Sequence, residues 1–417
     1  MIFLRYDIRG KYPKELNEKV MEQIGIAVGV KWKRVVVSRD LRPSGESLQN
    51  ALISGLTQNG VDVLVAPPSH FGLAWFNAFK AGRECLYITA SHLPYNFNGL
   101  KFYHPDGTGF SVEELQEVYE WFERAKPRKR GKVWNIDRSE EYMDFVLENF
   151  KSDKKVVVDF GGGATTLYVP KVWRKICEHV GFLHERPDPY LKVRNPEPVP
   201  EALGKLKGAM KGKDLGVAYD GDGDRVVFLD DEGKFLSPEE VAVYLAREMH
   251  APRIVANIDC SMLLEEALPD AEVYRVPVGH PYVTRACREK RADMGVESSG
   301  HFIITKYSYF DDGVLVSFAL ASELDVSLSS FRKKLPKYYK KRFKFKVRDR
   351  KKTMEKLKKR LEKEYELNLM DGIKVEFEDA WVLIRPSNTE PVIRLTIEAK
   401  SKKRFEQLKK EFLKLLK

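Results

Sequence analysis

The chain has 417 residues, 43% of them hydrophobic and 32% charged, with a mean hydropathy of −0.41. This length predicts two to four domains, and the sequence has no run of about 18 apolar residues that could cross a membrane. The first residues lack the pattern of a secretory signal peptide. Four widely spaced cysteines are typical of free thiols in a reducing cytoplasm, where we expect the protein.

The net charge of +11 originates in one segment. Residues 331–360 contain 17 Lys or Arg and only two acidic residues, so the rest of the chain has a negative net charge. Local basicity describes one segment rather than the whole surface. Because no zinc-finger or RNA-recognition signature accompanies it, we expect no nucleic-acid partner. A nucleic-acid-binding protein is kept as a rival hypothesis.

A strand–helix–strand pattern occurs three times along the chain, and each copy ends in a third strand. The first strands are Arg34–Ser38, Lys155–Asp159 and Arg253–Asn257, and the third strands are Leu86–Thr89, Leu215–Ala218 and Met294–Val296. Such alternation predicts mainly parallel sheets with right-handed crossovers. Ligands bind beyond the carboxyl ends of parallel strands. The loops after the three third strands are therefore expected to share one cleft.

The C-terminal part follows a different pattern. We interpret the basic stretch 333–352 as a connector, followed by a helix over Lys352–Tyr365. Three strands and a terminal helix then follow at Ile373–Phe377, Trp381–Ile384, Val392–Glu398 and Lys402–Leu416. The predicted fold class is α/β, with three consecutive α/β domains of mixed, mainly parallel sheets and a smaller C-terminal α+β domain around a central cleft. The predicted domains are 1–135, 136–235, 236–335 and 336–417.

The loop Asp220–Arg225, with the sequence DGDGDR, is the most informative. Its alternating carboxylates can converge on one cation, and its glycines permit a sharp turn. Ligand sets made only of oxygen suit Mg²⁺ or Mn²⁺. An EF-hand is excluded, because Arg225 and Asp231 occupy the positions where that loop needs Gly and Glu. A turn that merely caps a strand is the structural alternative.

Three further loops carry reactive or ligand-binding side chains. Thr89–Lys101 offers a hydroxyl, an imidazole and an ammonium group, without the Gly-x-Ser-x-Gly elbow of serine hydrolases. Glu297–His301 combines an acid, hydroxyls and an imidazole, which suits hydroxyl-rich ligands. Arg385–Arg394 places two arginines and two hydroxyls around a turn stiffened by proline, which suits phosphate. Taken alone, each loop is also explained as a polar loop or as a hairpin with surface ion pairs.

Together these loops resemble those of the α-D-phosphohexomutases, the family of phosphoglucomutases and phosphomannomutases. The phosphoserine loop of that family, T-x-S-H-N-P followed by N-G-x-K, matches Thr89–Lys101 with Leu93 in place of Asn. The metal loop D-G-D-G-D-R matches without change. The sugar loop G-E-x-S-G-H matches with Val296 in place of Gly, and the phosphate loop R-x-S-x-T-E-P-x-x-R matches fully.

The resemblance is collinear and spans essentially the whole chain, including Tyr6–Gly10, Ser38–Arg42 and Val278–His280. It implies reversible interconversion of hexose 1-phosphate and hexose 6-phosphate, with mannose or glucose as the sugar. The implied route passes through a phosphoserine and a 1,6-bisphosphate intermediate. The implied partner is a small phosphosugar, with Mg²⁺ as cofactor and hexose 1,6-bisphosphate as activator.

Site residues follow from the same resemblance. Ser91 is implied as the phosphorylated nucleophile, and the other implied catalytic residues are His92, Lys101, Arg9 and His280. The implied metal ligands are Ser91 (through its phosphate), Asp220, Asp222 and Asp224. The implied substrate-binding residues are Tyr6, Arg225, Glu297, Ser299, His301, Arg385, Ser387, Asn388, Thr389 and Arg394.

Several alternatives stay open at this point. Phosphoglucosamine mutase uses the same machinery, and no residue in the sequence visibly distinguishes substituents at carbon 2 of the sugar. A degenerate homologue that only binds its ligand is opposed by the intact metal and phosphate loops. The sequence determines neither the preferred hexose nor the choice between a monomer and a homodimer.

Overall fold

The computed structural model describes residues 2–387 and 392–416. Four β-sheets follow one another along this part of the chain, and we call the segment around each sheet a unit. None of the described helices is both long enough and apolar enough to cross a membrane.

The first unit contains a six-stranded sheet. Its strands are β1 (Ile8–Lys11), β2 (Arg34–Arg39), β3 (Asp62–Val65), β4 (Glu84–Ile88), β5 (Phe97–Tyr103) and β6 (Val133–Asn135). Their order is β1-β5-β4-β2-β3-β6. The helices are α1 (Glu18–Val28), α2 (Gly45–Gln58), α3 (Phe71–Ala81) and α4 (Val112–Phe122).

The second unit contains a five-stranded sheet. Its strands are β7 (Val156–Asp159), β8 (Val180–Leu183), β9 (Leu215–Tyr219), β10 (Val226–Leu229) and β11 (Phe235–Leu236). Their order is β11-β10-β9-β7-β8. The helices are α5 (Ser139–Asn149), α6 (Val169–Ile176) and α7 (Gly204–Gly208), with short 3-10 turns at Ala164–Leu167 and Pro200–Ala202.

The third and fourth units contain four strands each. The third sheet, in the order β13-β12-β14-β15, consists of β12 (Arg253–Asn257), β13 (Glu272–Val276), β14 (Met294–Val296) and β15 (Phe302–Ile304). Its helices are α8 (Pro238–Glu248), α9 (Leu263–Ala267), α10 (His280–Glu289), α11 (Gly313–Ser322) and α12 (Leu328–Lys334).

The fourth sheet, in the order β16-β19-β18-β17, consists of β16 (Tyr339–Lys346), β17 (Ile373–Phe377), β18 (Ala380–Pro386) and β19 (Val392–Ala399). Its helices are α13 (Arg350–Leu361) and α14 (Lys402–Leu415).

The first three units share one strand arrangement. In each, the first strand lies parallel between the third and the second, giving β4-β2-β3, β9-β7-β8 and β14-β12-β13. The next strand, β5, β10 or β15, then runs antiparallel beside the third. Three candidate loops therefore connect a third strand, at its carboxyl end, to its antiparallel neighbour. The predicted α/β fold class is confirmed, and the fourth sheet is antiparallel throughout.

Burial explains why the first strands have almost unbroken apolar sequences. In β2 the side chains of Val35, Val36 and Val37 have no solvent exposure. A parallel strand with helices on both faces buries successive side chains on both sides, so it lacks the alternation of a half-exposed strand. Helix ends are set locally, as in the capping boxes formed by Ser111 with Glu114 and by Ser237 with Glu240.

The interpretation of residues 333–352 as a connector is wrong. Its central part, residues 339–346, forms β16, which pairs with β19 along its full length. Phe343 and Phe345 pack against the core of the fourth unit and alternate with lysines, which is the periodicity of a half-buried strand. The predicted helix over Lys352–Tyr365 is present as α13, which begins two residues earlier and ends four residues earlier.

Contacts with the third unit position the fourth unit. Trp381 and Leu383 of β18 form a small buried cluster with Ile258. Around this cluster, Lys340 Nζ lies 2.8 Å from Glu239 Oε1, and Arg342 forms an ion pair with Asp259. The fourth sheet is thereby held with one face towards the loops of the other units.

Candidate active site

The four loops line one cavity of about 320 Å³. The structure brings together these predicted site residues at its wall: Tyr6, Arg9, Ser91, His92, Lys101, Asp224, Arg225, His280, Glu297, Ser299, His301, Arg385 and Arg394. Asp220 and Asp222 are buried in the metal loop, and Ser387 is buried at the end of β18. Asn388 and Thr389 lie outside the described residues. The expectation of a shared cleft is thus confirmed for the described part of all four loops.

Ser91 occupies a constrained turn directly after β4. Its φ angle of 50° lies in the left-handed region, which is uncommon for a residue other than glycine. The backbone N–H of Ser91 donates to Thr89 Oγ1 at 2.9 Å, and this hydroxyl also lies 3.0 Å from Asp222 Oδ2. The turn is therefore fastened to the metal loop at its base.

Arg42 also holds this turn in place. Its guanidinium is buried and donates to four backbone carbonyl oxygens of the loop, those of Ser91 at 2.8 Å, Leu93 at 2.7 Å, Pro94 at 2.6 Å and Phe97 at 3.1 Å. Asp40 accepts from the remaining Nε–H at 3.0 Å. Arginine suits this role because its planar fork presents five donors in a fixed arrangement. Arg42 is a positioning residue that sequence reasoning did not assign.

A close backbone approach joins the Ser91 turn to the metal loop. A Cβ atom on Gly221 would lie 2.3 Å from the carbonyl oxygen of Ser91, so only glycine fits there. As a result, Ser91 Oγ donates to Asp220 Oδ2 at 2.7 Å, across 129 residues of sequence. The hydroxyl proposed to carry phosphate and the proposed metal ligands are thus in direct contact.

The three aspartates of the metal loop form a compact oxygen cluster. One ligand oxygen from each of Asp220, Asp222 and Asp224 lies within 4.8 Å of the others, and all three residues are buried. Oδ1 of Asp222 and Oδ1 of Asp224 are buried and have no hydrogen-bond partner among the described residues. Unpartnered buried carboxylate oxygens are costly, and they are the donors that Mg²⁺ prefers. The residues present therefore fit a divalent hard cation.

Electrostatics support the same conclusion. Burial and the neighbouring carboxylates raise the pKa of Asp220 well above its ordinary value, and the same causes raise the pKa of Asp222. Burial also opposes ionisation of Asp224, but Lys101 and His301 lower its pKa well below the ordinary value. Like charges so close together disfavour ionisation unless a cation compensates them. A bound divalent ion would supply that compensation.

Lys101 is a cation that contacts two aspartates of the cluster directly. Its Nζ lies 2.9 Å from Asp222 Oδ2 and also forms a short ion pair with Asp224. Burial would lower its pKa, but the surrounding carboxylates raise it above the ordinary value, so the side chain is an ammonium. Lys101 thus presents a positive, proton-bearing group within the site.

The two candidate histidines are neutral. His92 Nδ1 lies 3.2 Å from Ser91 Oγ, and burial together with Arg225 and Arg9 lowers the pKa of His92 well below 6.5. His280 stacks on Tyr103 with ring centroids 5.0 Å apart, and burial lowers its pKa to about 3. Neutral imidazoles have one nitrogen available to accept a proton.

The sugar loop is ordered by a charged pair. His301 Nδ1 lies 3.1 Å from Glu297 Oε2. Burial opposes the charge on both residues, but their mutual attraction lowers the pKa of Glu297 to about 2, and Asp224 with Glu297 raises that of His301 to about 10. Ser299 Oγ lies 2.9 Å from His301 Nδ1. A backbone bridge between Arg225 and His301 joins this loop to the metal loop.

A row of cations faces the cavity from the fourth sheet. Arg385 of β18 stands opposite Arg394 of β19, and Lys344 of β16 stands opposite Arg394 on its other side. All three residues line the cavity. Like charges directly opposite on neighbouring strands are unfavourable without an anion between them. This row is therefore suited to a phosphate group.

Several cavity residues were not assigned from the sequence, among them the charged residues Arg5, Asp259, Arg342 and Lys344. Arg342 and Lys344 belong to the stretch that we interpreted as a connector. The alternation of Phe and Lys in residues 342–346 is the signal that could have identified this strand. Arg5 Nη1 lies 3.1 Å from Asp371 Oδ1, and Arg385 Nη2 lies 3.0 Å from the other oxygen, so one carboxylate joins the first and fourth units.

Family models match nearly the whole chain. The models described as phosphoglucomutase/phosphomannomutase alpha/beta/alpha domains I, II and III match residues 1–129, 140–233 and 237–344, and the C-terminal domain model matches residues 343–415. The chain belongs to the phosphoglucomutase/phosphomannomutase family. Members of this family are mutases, which are intramolecular phosphotransferases, and the enzyme class predicted from the sequence is confirmed.

Individual proteins show the same relationship. The chain is 36% identical over 411 residues to a probable phosphoglucosamine mutase of Methanococcoides burtonii, covering 94% of each protein. It is 35% identical to a phosphoglucomutase/phosphomannomutase of Thermococcus kodakarensis, covering 100% of this chain and 98% of that protein. The crystal structure of a phosphoglucomutase/phosphomannomutase family protein from Burkholderia thailandensis superposes with a TM-score of 0.90 at 27% identity, covering 100% of this chain and 96% of that chain.

Proposed function

We propose that the protein interconverts hexose 1-phosphate and hexose 6-phosphate, with mannose or glucose as the sugar, through a phosphoserine at Ser91. The observation that supports this most strongly is the 2.7 Å contact between Ser91 Oγ and Asp220 Oδ2, next to two further aspartates. The cation row of the fourth sheet lines the same cavity. The same cavity thus offers two places: one for the reacting phosphoryl group, beside Ser91, and one for a phosphate that does not react, beside the cation row.

Asp220, Asp222 and Asp224, together with the phosphate on Ser91, would hold Mg²⁺. When bound, this ion would offset the charge of the phosphoserine and draw charge from the transferring phosphoryl group. Lys101 and Arg225 contribute fixed positive charge at the same place. Phosphoryl transfer depends mainly on such positioning and charge stabilisation.

In the transfer, the bond between phosphorus and Ser91 Oγ breaks, and a bond forms between phosphorus and the free hydroxyl of the sugar. The sugar hydroxyl loses its proton to a base, for which neutral His92 and His280 are candidates. Lys101, as an ammonium, is the candidate for neutralising the alkoxide that forms on Ser91. The product of this step is a hexose 1,6-bisphosphate.

The bisphosphate then turns end over end, and its other phosphate returns to Ser91. Arg385 and Arg394, with Lys344 beside them, hold whichever phosphate does not react. Ser387, Asn388 and Thr389 are assigned to the same cradle by the family motif. Glu297 and Ser299 bind sugar hydroxyls in both orientations, with Tyr6 and His301 adjacent. We expect closure of the fourth unit over the cavity to exclude water, which would otherwise compete as the acceptor.

Phosphoglucosamine mutase is the second candidate function. The name of the Methanococcoides burtonii relative favours it, since that protein is a probable phosphoglucosamine mutase. A coupled assay with the 1-phosphates of mannose, glucose and glucosamine, each with its 1,6-bisphosphate and Mg²⁺, tests both candidates. We expect turnover of at least one of these sugars, and the absence of turnover with all three would contradict the proposal.

A further inference from the structure

A buried carboxylate contacts one of the arginines that we expect to bind phosphate. Asp371 Oδ2 lies 3.0 Å from Arg385 Nη2, and the two residues are 8% and 4% exposed. Beside a proposed anion site, a fixed negative charge repels the ligand and offsets part of the charge of the guanidinium. The position of Asp371 therefore needs a reason other than attraction of an anion.

The backbone is shaped to bring the two side chains together. Asp371 and Gly372 directly precede β17, and Gly372 has a φ angle of 94°, in the left-handed region that favours glycine. A Cβ atom on Gly372 would lie 2.4 Å from the carbonyl oxygen of Ile384 and 2.8 Å from Arg385 Cβ. The turn thus passes close to β18 at Arg385, and only glycine permits this approach.

The same carboxylate also contacts two other units. Its Oδ1 atom accepts a hydrogen bond from Arg5 Nη1 of the first unit at 3.1 Å, and its Oδ2 atom accepts one from the backbone N–H of Val278 in the third unit at 3.1 Å. The next N–H along the chain, that of Gly279, donates to Glu297 Oε1 at 2.9 Å. Two consecutive backbone groups therefore connect the contact at Arg385 to the acid of the sugar loop.

Arg385 keeps donors for a ligand in spite of its contact with Asp371. The Nε and Nη2 atoms of Arg385 are buried and donate no hydrogen bond within the described part of the chain, so the 3.0 Å contact is an ion pair without hydrogen-bond alignment. Buried donors without acceptors cost free energy. A phosphate could therefore accept from Arg385 while Asp371 keeps its hydrogen bonds to Arg5 and Val278.

We propose that Asp371 is a positioning residue that fixes the distance between the cation row and the sugar loop. This inference rests on the proposed phosphohexomutase function and adds to it how the two ends of one substrate are held at a set spacing. A hexose phosphate that meets both sites gains affinity over inorganic phosphate only while their spacing matches its length. One competing explanation is that Asp371 blocks Arg385 in place of a ligand, and another is that it only keeps the cation row folded.

Affinities for inorganic phosphate and for a hexose 6-phosphate separate these explanations. The hexose is glucose, or mannose or glucosamine if the coupled assay shows faster turnover of that sugar. Calorimetric titrations are made without Mg²⁺, so that the uncompensated aspartates near Ser91 repel phosphate and the cation row receives it. We expect Asp371→Asn to bind inorganic phosphate at least as tightly as the unmodified protein does, because a neighbouring negative charge is removed.

The hexose 6-phosphate should respond in the opposite direction. We expect its affinity for the Asp371→Asn variant to fall roughly tenfold, because the sugar loop is no longer held at the matching distance. A gain for both ligands would identify Asp371 as a block, and a loss for both would mean that it only maintains the cation row. Either result, or an unchanged affinity for the hexose 6-phosphate, would overturn the inference.

Asp379→Asn is the matched control. Asp379 Oδ1 lies 3.2 Å from Arg404 Nε within the fourth unit, and neither residue is among those that line the cavity. We expect this variant to keep both affinities within about twofold of the unmodified values.

Arg5→Met keeps the test valid should Asp371→Asn fail to fold. Arg5 binds the other oxygen of the same carboxylate from the first unit. We expect Arg5→Met to lower the ratio of the affinity for the hexose 6-phosphate to that for inorganic phosphate by about fivefold, and an unchanged ratio would overturn the inference. Failure of the proposed function would instead appear as an absence of turnover in the unmodified enzyme with every sugar, which these titrations do not require.

Discussion

At the scale of single residues, Gly221 sets the distance between Ser91, the proposed nucleophile, and the aspartates proposed as metal ligands. We expect Gly221→Ala to lower kcat at least roughly tenfold, because its Cβ would lie 2.3 Å from the carbonyl oxygen of Ser91 and force the two loops apart. Steady-state kinetics at saturating substrate measure this effect.

Gly204→Ala is the matched control for that experiment. Gly204 lies in the same unit, and a Cβ there would meet no atom of the described part of the chain within 4 Å. We expect this variant to keep kcat within about twofold of the unmodified enzyme, since an alanine in open space at a helix start costs little. Equal kcat values for the Gly221 and Gly204 variants would contradict the importance of the close approach.

Single residues could be predicted from the sequence only where a short motif carries them, and their catalytic and metal-binding roles stay predictions. Ser91, Asp220 and Lys101 were identified in this way, and the structure places them together. Arg42 was not identified as a site-forming residue, although it donates to four backbone carbonyls of the Ser91 loop. Backbone acceptors have no signature in the sequence, so a side chain that binds them cannot be recognised from its own neighbours.

At the scale of elements, β16 adds a cation, Lys344, to the proposed phosphate site. We expect Lys344→Met to raise KM about tenfold for both the 1-phosphate and the 6-phosphate, with kcat nearly unchanged, because the same row would hold either phosphate. Arg394→Ala should raise KM in the same manner. Kinetics measured in both directions of the reaction check this expectation.

Lys341→Met provides the control within the same strand. Lys341 pairs with Ile397, whose side chain is buried in the core of the fourth unit, so Lys341 is on the face opposite to Lys344. We expect the KM of the Lys341→Met variant to remain within about twofold of that of the unmodified enzyme. If both lysine variants changed KM equally, the effect would reflect overall charge rather than a phosphate contact.

The same strand shows how high charge conceals an element. Residues 331–360 contain 17 basic residues, and this excess favoured the interpretation as a connector. The strand is nonetheless amphipathic, since Phe343 and Phe345 face the core. Lys344 between them is tolerated because the other face of the strand borders a cavity that we expect to receive phosphate. Periodicity was thus a better guide than composition.

At the scale of the whole molecule, ion pairs between the third and fourth units make stability depend on pH. Burial would raise the pKa of Glu239, but Lys340 lowers it below 4.5. A carboxylate whose folded pKa is lowered stabilises the folded state above its unfolded pKa, and this contribution disappears as pH falls through the folded value.

We therefore expect Glu239→Gln to be less stable than the unmodified protein by roughly 3 kcal/mol at pH 7, because Lys340 loses its buried partner. The difference should shrink as pH falls below about 4.5 and vanish below the folded pKa of Glu239. Thermal unfolding of both proteins across this range measures it. A stability difference that is independent of pH would contradict a stabilising ion pair between Glu239 and Lys340.

The order and loops of the units could be predicted from the sequence, but the docking of the fourth unit could not. Strand and helix periodicity is local, so the three α/β units and their loops were identifiable. Glu239 and Lys340 are 101 residues apart, and no local pattern links them. The packing of Trp381 on Ile258 is equally non-local. Such contacts depend on complementary surfaces that only the folded units possess.

The location of the phosphoryl group on the enzyme tests the central claim most directly. The protein is incubated with glucose 1,6-bisphosphate and Mg²⁺, and the modified residue is identified by mass spectrometry of its peptides. We expect one phosphoryl group on Ser91, removable by an excess of glucose 1-phosphate as acceptor, and neither phosphate nor turnover in a folded Ser91→Ala variant. A phosphoryl group on another residue, or normal turnover by Ser91→Ala, would contradict the account.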